Sequence, residues 1–273
     1  MRELILQDRH VSYREIEATL GISGTSIHSI LHEHLAVKKI CSRWIPHNLT
    51  NAQKQTRVDW SKEMLQKYDH GASKHVYDIV TGDESWIYAY EPETKKQSSV
   101  WVFQDEPNPT KVVRARSTSK QMVACFFKKT GHVATVPLDQ RRTVNSEWYT
   151  TICLPEVFGK IRETNRQKRI ILHHDNASSH TSAQTKEFLS AENVELMGHP
   201  PYSPDLAPND FFLFPCIKNK LRGQRFSTPE EAVDAFKMHV LEVPQSEWKK
   251  CFENWFGRMQ KCVDLDGEYF EKQ

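Results

Sequence analysis

Three aspartates carry the chemistry this sequence could do. Asp83 sits in Thr81-Gly82-Asp83-Glu84, inside a run of β-branched and aromatic residues. Asp175 follows the apolar Ile170-Ile171-Leu172 through His173-His174, as a buried strand delivers a carboxylate at its end. Asp210 follows a corner stiffened by Pro200, Pro201, Pro204 and Pro208, which suits a rigid turn or the first turn of a helix. Carboxylate oxygens suit Mg²⁺ or Mn²⁺, and two such ions stabilise both the attacking and the leaving oxygen of a phosphoryl transfer. Acids in strand-ending turns are also common in loops without function, so spacing alone leaves both readings open. Asn176 could orient a phosphate or simply shape the turn. Glu84 faces the opposite side of its strand, and Asp205 reads as a turn residue. His173, His174 and His180 lack a neighbouring Cys or His pair, which favours packing over zinc.

The elements that must position these acids follow from pattern. Val76–Tyr90, Val100–Phe103, Met122–Lys128 and His132–Pro137 read as strands, with Thr130-Gly131 as a turn. A helix over Glu147–Arg166 precedes a strand at Arg169–His173. A helix over 179–190 precedes a strand at Val194–Met197. Phe211, Phe212, Phe214, Ile217 and Leu221 pack on a helix ending near Gly223. Pro229–Val240 and Ser246–Val263 add two covering helices anchored by Trp248, Phe252, Trp255 and Phe256. Pattern alone gives a mixed α/β domain over 71–273, with a polar loop inserted at 91–120 that is long enough to be functional.

Residues 1–35 read as three short helices. Ser12 caps the second, with Tyr13, Ile16 and Leu20 inward; Gly21 closes it, and Ser23 caps the third. The third turns Ile27, Ile30, Leu31 and Leu35 inward and leaves Ser26, His28, Ser29 and His32 outward. This is a helix-turn-helix or a plain bundle. Residues 36–70 read as a basic linker and a connecting helix capped by Thr50. Two stretches lack acids altogether: 34–58, with Lys38, Lys39, Arg43, Lys54 and Arg57, and 107–138, with Lys111, Arg114, Arg116 and Lys120. Each is a phosphate-contacting face or a solvated one.

Other classes drop out. The six cysteines are scattered without a CxxC pair, arguing against a zinc or disulfide framework. No apolar run reaches membrane-helix length and the first residues lack the shape of a secretory signal, so an intracellular protein without a membrane partner is expected. Neither a phosphate-binding Walker loop nor a nucleophile elbow is present.

The motifs Thr81–Tyr88 (TGDESWIY), His173–His180 (HHDNASSH) and Pro200–Phe214 (PPYSPDLAPNDFFLF) resemble those of the mariner family of DNA transposases. The 34 residues between Asp175 and Asp210 match the family's spacing, and Trp44–Leu49 (WIPHNL) is similar to its WVPHEL segment. The resemblance continues to Gly267–Phe270. It implies a ribonuclease-H-like catalytic domain, a mixed sheet flanked by helices, preceded by a small all-α helix-turn-helix domain. It also implies catalytic, metal-ligating roles for Asp83, Asp175 and Asp210 with two Mg²⁺ or Mn²⁺ ions. DNA contact is expected from Ser26, His28, Ser29, His32, Lys38, Lys39, Arg43, Arg114 and Arg116. Trp44, Ile45 and Pro46 are expected to pair two subunits, with loop 91–120 clamping the partner. The implied partners are the transposon's terminal inverted repeats, a TA target and a second copy of the chain, and the implied compartment is the nucleus. The family carries two helix-turn-helix modules, and only the second has a counterpart here. An N-terminally truncated transposase is one expectation; a non-catalytic DNA-binding or assembly protein derived from such an element is the other.

Overall fold

The computed structural model describes residues 1–40, 44–112, 114–138, 143–163 and 166–271. Two compact units divide between Trp44 and Ile45.

The first unit contains α1 (Arg2–Gln7), α2 (Tyr13–Leu20) and α3 (Gly24–Ser29), the last continuing as a wider π turn over Ile30–His34. Ser12 and Glu15 form a reciprocal cap at the start of α2, satisfying two backbone donors that would otherwise be orphaned. Gly21, at φ +63°, ends α2 in the left-handed conformation, and Ser23 accepts from Ser26 N at 3.3 Å to start α3. Ile16, Ile27 and Leu31 make the small core, with Leu4, Val11, Ile22 and Leu35 around it. Tyr13 and Leu20, expected inward, are 39% and 40% exposed. With only three short helices there is too little depth to cover the whole apolar stripe of α2.

The second unit opens with α4 (Asn51–Lys67), capped by Thr50 and Gln53. Then come β1 (Ile79–Tyr88), β2 (Lys120–Lys128) and β3 (Gly131–Pro137). A helical segment follows as α5 (Ser146–Trp148), a π turn over Tyr149–Cys153, and α6 (Leu154–Arg162). β4 (Ile171–His173), α7 (Ser178–Thr181), α8 (Ala183–Ala191) and β5 (Glu195–Met197) come next. A π turn over Asn209–Leu213 leads into α9 (Phe214–Leu221), and α10 (Pro229–Leu241) and α11 (Gln245–Asp264) finish the chain. Among the described residues no helix is long and apolar enough to cross a membrane.

The strands form one sheet in the order β3-β2-β1-β4-β5, antiparallel through β3, β2 and β1 and parallel from β1 to β4 to β5. Alternation along β2 sends Val123, Cys125 and Phe127 into a core shared with α4, α9, α10 and α11. Ala124 and Phe126 enter a second core, against α6 and α8, on the other face. This is the expected mixed sheet flanked by helices. Val100–Phe103 is not a strand: it finds no pairing partner, and Trp101 and Phe103 lie fully or largely in solvent. Strand-like composition alone does not make a strand when no other strand pairs with it.

Gly82 has a steric reason to be glycine. It pairs with Phe126, and a Cβ there would lie 2.1 Å from that buried ring. Gly82→Ala should therefore destabilise the unit by roughly 1–3 kcal/mol, the usual cost of overpacking. Urea denaturation measures this, and an unchanged midpoint would show that the ring swings aside freely.

Candidate active site

β1, β4 and the turn before α9 each deliver one acid. Asp83 is in mid-β1, its Oδ1 accepting from Glu84 N at 2.8 Å. Asp175 lies two residues beyond β4. Its Oδ1 accepts from Ala177 N at 3.0 Å and from His180 Nδ1 at 2.7 Å. Asp210 is the second residue of the π turn, its N–H bonded to Ala207 O at 3.0 Å. The three line one cavity of about 440 Å³ together with Thr81, Asn176, His199 and Asn209.

Its electrostatics are those of crowded negative charge. Burial, and then the charges of Asp210, Glu84 and Asp175, raise the Asp83 carboxyl well above its usual value. Burial and Asp175 push Asp210 up to about 6, against the opposing ammonium of Lys218. Burial pulls Asp175 the same way, but the His180 bond and the Ala177 N–H outweigh it and leave Asp175 lowered. His180 sits between Asp175 and Glu84, the latter 3.3 Å from Nε2. Burial disfavours its charge, yet the two carboxylates overcome that and push it up to about 10. Behind it His174 stacks at 4.6 Å between ring centroids and shares a 2.8 Å hydrogen bond with the Tyr149 hydroxyl.

Hard oxygen donors with too little positive charge among them suit a divalent cation. Asn209 adds a buried amide oxygen without a hydrogen-bond partner. Among the described residues no three Asp, Glu, His or Cys side chains already stand together as a coordination shell. The acids therefore line the cavity without closing on one point, and the donor set fits by its chemistry.

A second polar chain runs along the cavity wall. Thr81 Oγ1 and His173 Nδ1 are 2.9 Å apart, His173 Nε2 and His199 Nδ1 3.0 Å, and His199 Nε2 and Ser203 O 3.1 Å. A carbonyl only accepts, so His199 donates from Nε2 and accepts at Nδ1, His173 donates from Nε2, and Thr81 donates to His173. Both rings are neutral, and burial, with Arg57 adding to it, holds His199 down to about 4. An unfolded histidine near 6.5 binds a proton that the folded one refuses, so stability is lost as pH falls from 6.5 toward about 4. Urea midpoints across that range should fall less steeply for His199→Gln than for the parent protein. Equal slopes would remove His199 from the account.

Several expected residues lie elsewhere. Ser26, His28 and His32 are exposed on the first unit, where His32 Nε2 meets Tyr13 OH at 3.1 Å, and Ser29 donates to Glu33. Lys38 is exposed, and Lys39 donates to the carbonyls of His10 and Val11. Arg43 falls outside the described residues. Trp44 is 97% exposed, with Ile45 and Pro46 also in solvent. Arg114 is exposed, and Arg116 lies 4.1 Å over the Tyr88 ring and 3.9 Å from Glu91. Of the basic residues read as a phosphate-facing stretch, Arg57 is fully buried against Asp205 and Lys54 pairs with Glu268. Asn176 donates to His199 O at 2.7 Å, tying the loop after β4 to the one after β5.

The sequence reading missed Lys218. It lies on α9, donates to Ser85 Oγ on β1 at 2.6 Å, and sets a partly buried ammonium near Asp210 and Asp83. Its eight-residue distance from Asp210 on a helical pattern was the available signal.

Residues 78–232 match the family of DDE superfamily endonucleases. The mariner Mos1 transposase of Drosophila mauritiana is 30% identical over 280 residues, covering 99% of this chain and 78% of that one. The histone-lysine N-methyltransferase SETMAR of Homo sapiens is also 30% identical, over 99% of this chain, which spans only 39% of that protein's length. Among solved structures, the Mos1 paired-end complexes with the left transposon end and with Mn both superpose at TM-score 0.80. Each has 28% identity and covers 99% of this chain and 78% of the other. The complex with Mg superposes at 0.78 over the same shares of the two chains. The chain is thus a member of the DDE superfamily endonucleases. Within that superfamily, the chain belongs to the mariner transposases.

Proposed function

We propose that this chain cuts DNA at the ends of a mariner-type transposon and joins those ends to a TA target, using Asp83, Asp175 and Asp210. The observation that carries the reading is the delivery of these three acids, from separate elements, to one cavity in a chain that matches Mos1 along nearly its whole length. Asp83, Asp175 and Asp210 would hold two Mg²⁺ or Mn²⁺ ions. When bound, such ions supply an activated water or 3′-hydroxyl and stabilise the leaving 3′-oxygen. His180 holds Asp175 through Oδ1 and keeps its orientation fixed. Glu84 balances the His180 charge from the far side of the strand. Lys218 offsets part of the negative charge around Asp210.

The partners follow from the same reading: double-stranded DNA with terminal repeats, and a second copy of the chain. Trp44, Trp101 and Phe103 stand largely in solvent, as large apolar side chains that a second subunit would cover. Ser26, His28, Ser29, His32, Lys38, Lys39, Arg43, Arg114 and Arg116 form the proposed DNA contacts. The nucleus is the proposed compartment.

The test is nicking of supercoiled DNA with Mg²⁺ or Mn²⁺, against an EDTA control. Metal-dependent nicking is the expected result. A folded protein that binds DNA and never cuts it, even with Mn²⁺, would favour a non-catalytic binding protein instead.

A further inference from the structure

We propose that Arg57, on α4, is a positioning residue for the acid cluster, fixing the turn that carries Asp210 relative to the strands that carry Asp83 and Asp175. This rests on the metal-ligand reading of those acids.

Arg57 is fully buried and at least four of its five N–H donors are engaged. Nη1 donates to Ser203 Oγ and to Asp205 Oδ1, both at 2.8 Å, and Nη2 to Asp205 Oδ2 at 2.7 Å. Nε donates to Gly267 O at 2.9 Å, and the guanidinium lies 4.8 Å from the Tyr269 ring centroid. Burying a charged pair is costly, and well-packed apolar residues often do as well for stability. What the fork adds is a planar, two-pronged grip that fixes geometry.

The grip falls where geometry matters. From Ser203 onward the backbone closes turn upon turn: Leu206 N bonds Ser203 O, Ala207 N bonds Pro204 O, and Asp210 N bonds Ala207 O. Pro204 and Pro208 fix φ within the same run. Little slack separates Asp205 from Asp210. Trp255 and Arg258 hold the carbonyls of this turn, at Leu206 and Asp205, while Arg57 holds its side chains. Ser203 is also the end of the Thr81–His173–His199 chain. Thr81 stands two residues before Asp83, and His173 two before Asp175. One buried polar network therefore ties all three acid-bearing segments together, and Arg57 terminates it.

The test compares Mn²⁺ binding, read by electron paramagnetic resonance of the free ion, with thermal stability in the full chain. The chosen variant is Arg57→Met with Asp205→Leu, which replaces the pair by apolar bulk. Removing direct outer partners of metal ligands weakens metal affinity by roughly tenfold to a hundredfold; Arg57 acts one step further out, so a loss of up to about tenfold at a nearly unchanged melting temperature is expected. Single-turnover nicking should fall with it. Arg57→Lys keeps the charge and loses the fork, so it should fall between the two. If the double variant fails to fold, Arg57→Lys decides alone. Mn²⁺ affinity equal to the parent's in the folded variant would overturn the assignment and leave the metal site standing. A parent protein that binds no Mn²⁺ would overturn both.

Discussion

Asp175→Ala should reduce metal-dependent nicking by at least about a thousandfold, equivalent to roughly 4 kcal/mol of lost transition-state stabilisation. The carboxylates are the cavity's hard ligands, and their neighbours, neutral rings and an asparagine amide, are poor substitutes for a missing oxygen anion. Asp210→Asn and Asp83→Asn should cost as much. Asp83→Asn should have a second effect of opposite sign on stability. It retains the acceptor that Glu84 N needs while replacing a buried, titratable carboxyl crowded by Asp210, Glu84 and Asp175 with a neutral amide. The metal-free variant should therefore melt at a higher temperature than the metal-free parent, even as activity disappears. Such a trade between stability and chemistry is typical of sites that concentrate like charge. Nicking at the parental rate by Asp175→Ala would end the metal-ion reading.

Arg57→Met alone should be among the most destabilising single changes in the second unit, costing about 3–5 kcal/mol because it strands a buried carboxylate. The Asp205 side chain is 1% exposed, and water cannot take over the two hydrogen bonds it loses. Adding Asp205→Leu removes the stranded charge and should restore most of the loss. Chemical denaturation of both single variants and the pair gives the coupling directly. A loss below about 1 kcal/mol for Arg57→Met would mean that the carboxylate escapes to solvent or is protonated at little cost.

Strands and covering helices were legible because each depends on local pattern, β-branched runs and apolar periodicity; the three acids stand at the ends and corners of such elements, but their role came from the family resemblance rather than from spacing. What was not legible depended on partners far away in sequence. Arg57 lies in an acid-free basic stretch, and composition does not distinguish an arginine facing phosphate from one facing a buried aspartate 148 residues later. Asp205 was read as a turn residue and does sit in a turn, yet its carboxylate points into that buried pair. Strand alternation turns Glu84 away from Asp83. His180 nevertheless joins it to Asp175, which lies beyond the end of β4 and so outside the strand alternation. Val100–Phe103 is the complementary case: its residues favour strands, yet no strand pairs with it.

The pairing of α4 with the chain's last helix has a consequence in time. Arg57 reaches Gly267 across 210 residues, and Trp255 and Arg258 of α11 fasten the turn that leads to Asp210. β1 must likewise wait 92 residues for His173 on β4 to meet Thr81. Contacts of such long sequence separation form late, after their loops have been closed. During synthesis, then, a chain that has just passed Asp210 holds every acid yet lacks the helix that seats them. A chain stopped before α11 would carry all three acids without the contacts from Trp255 and Arg258 that fasten the turn leading to Asp210.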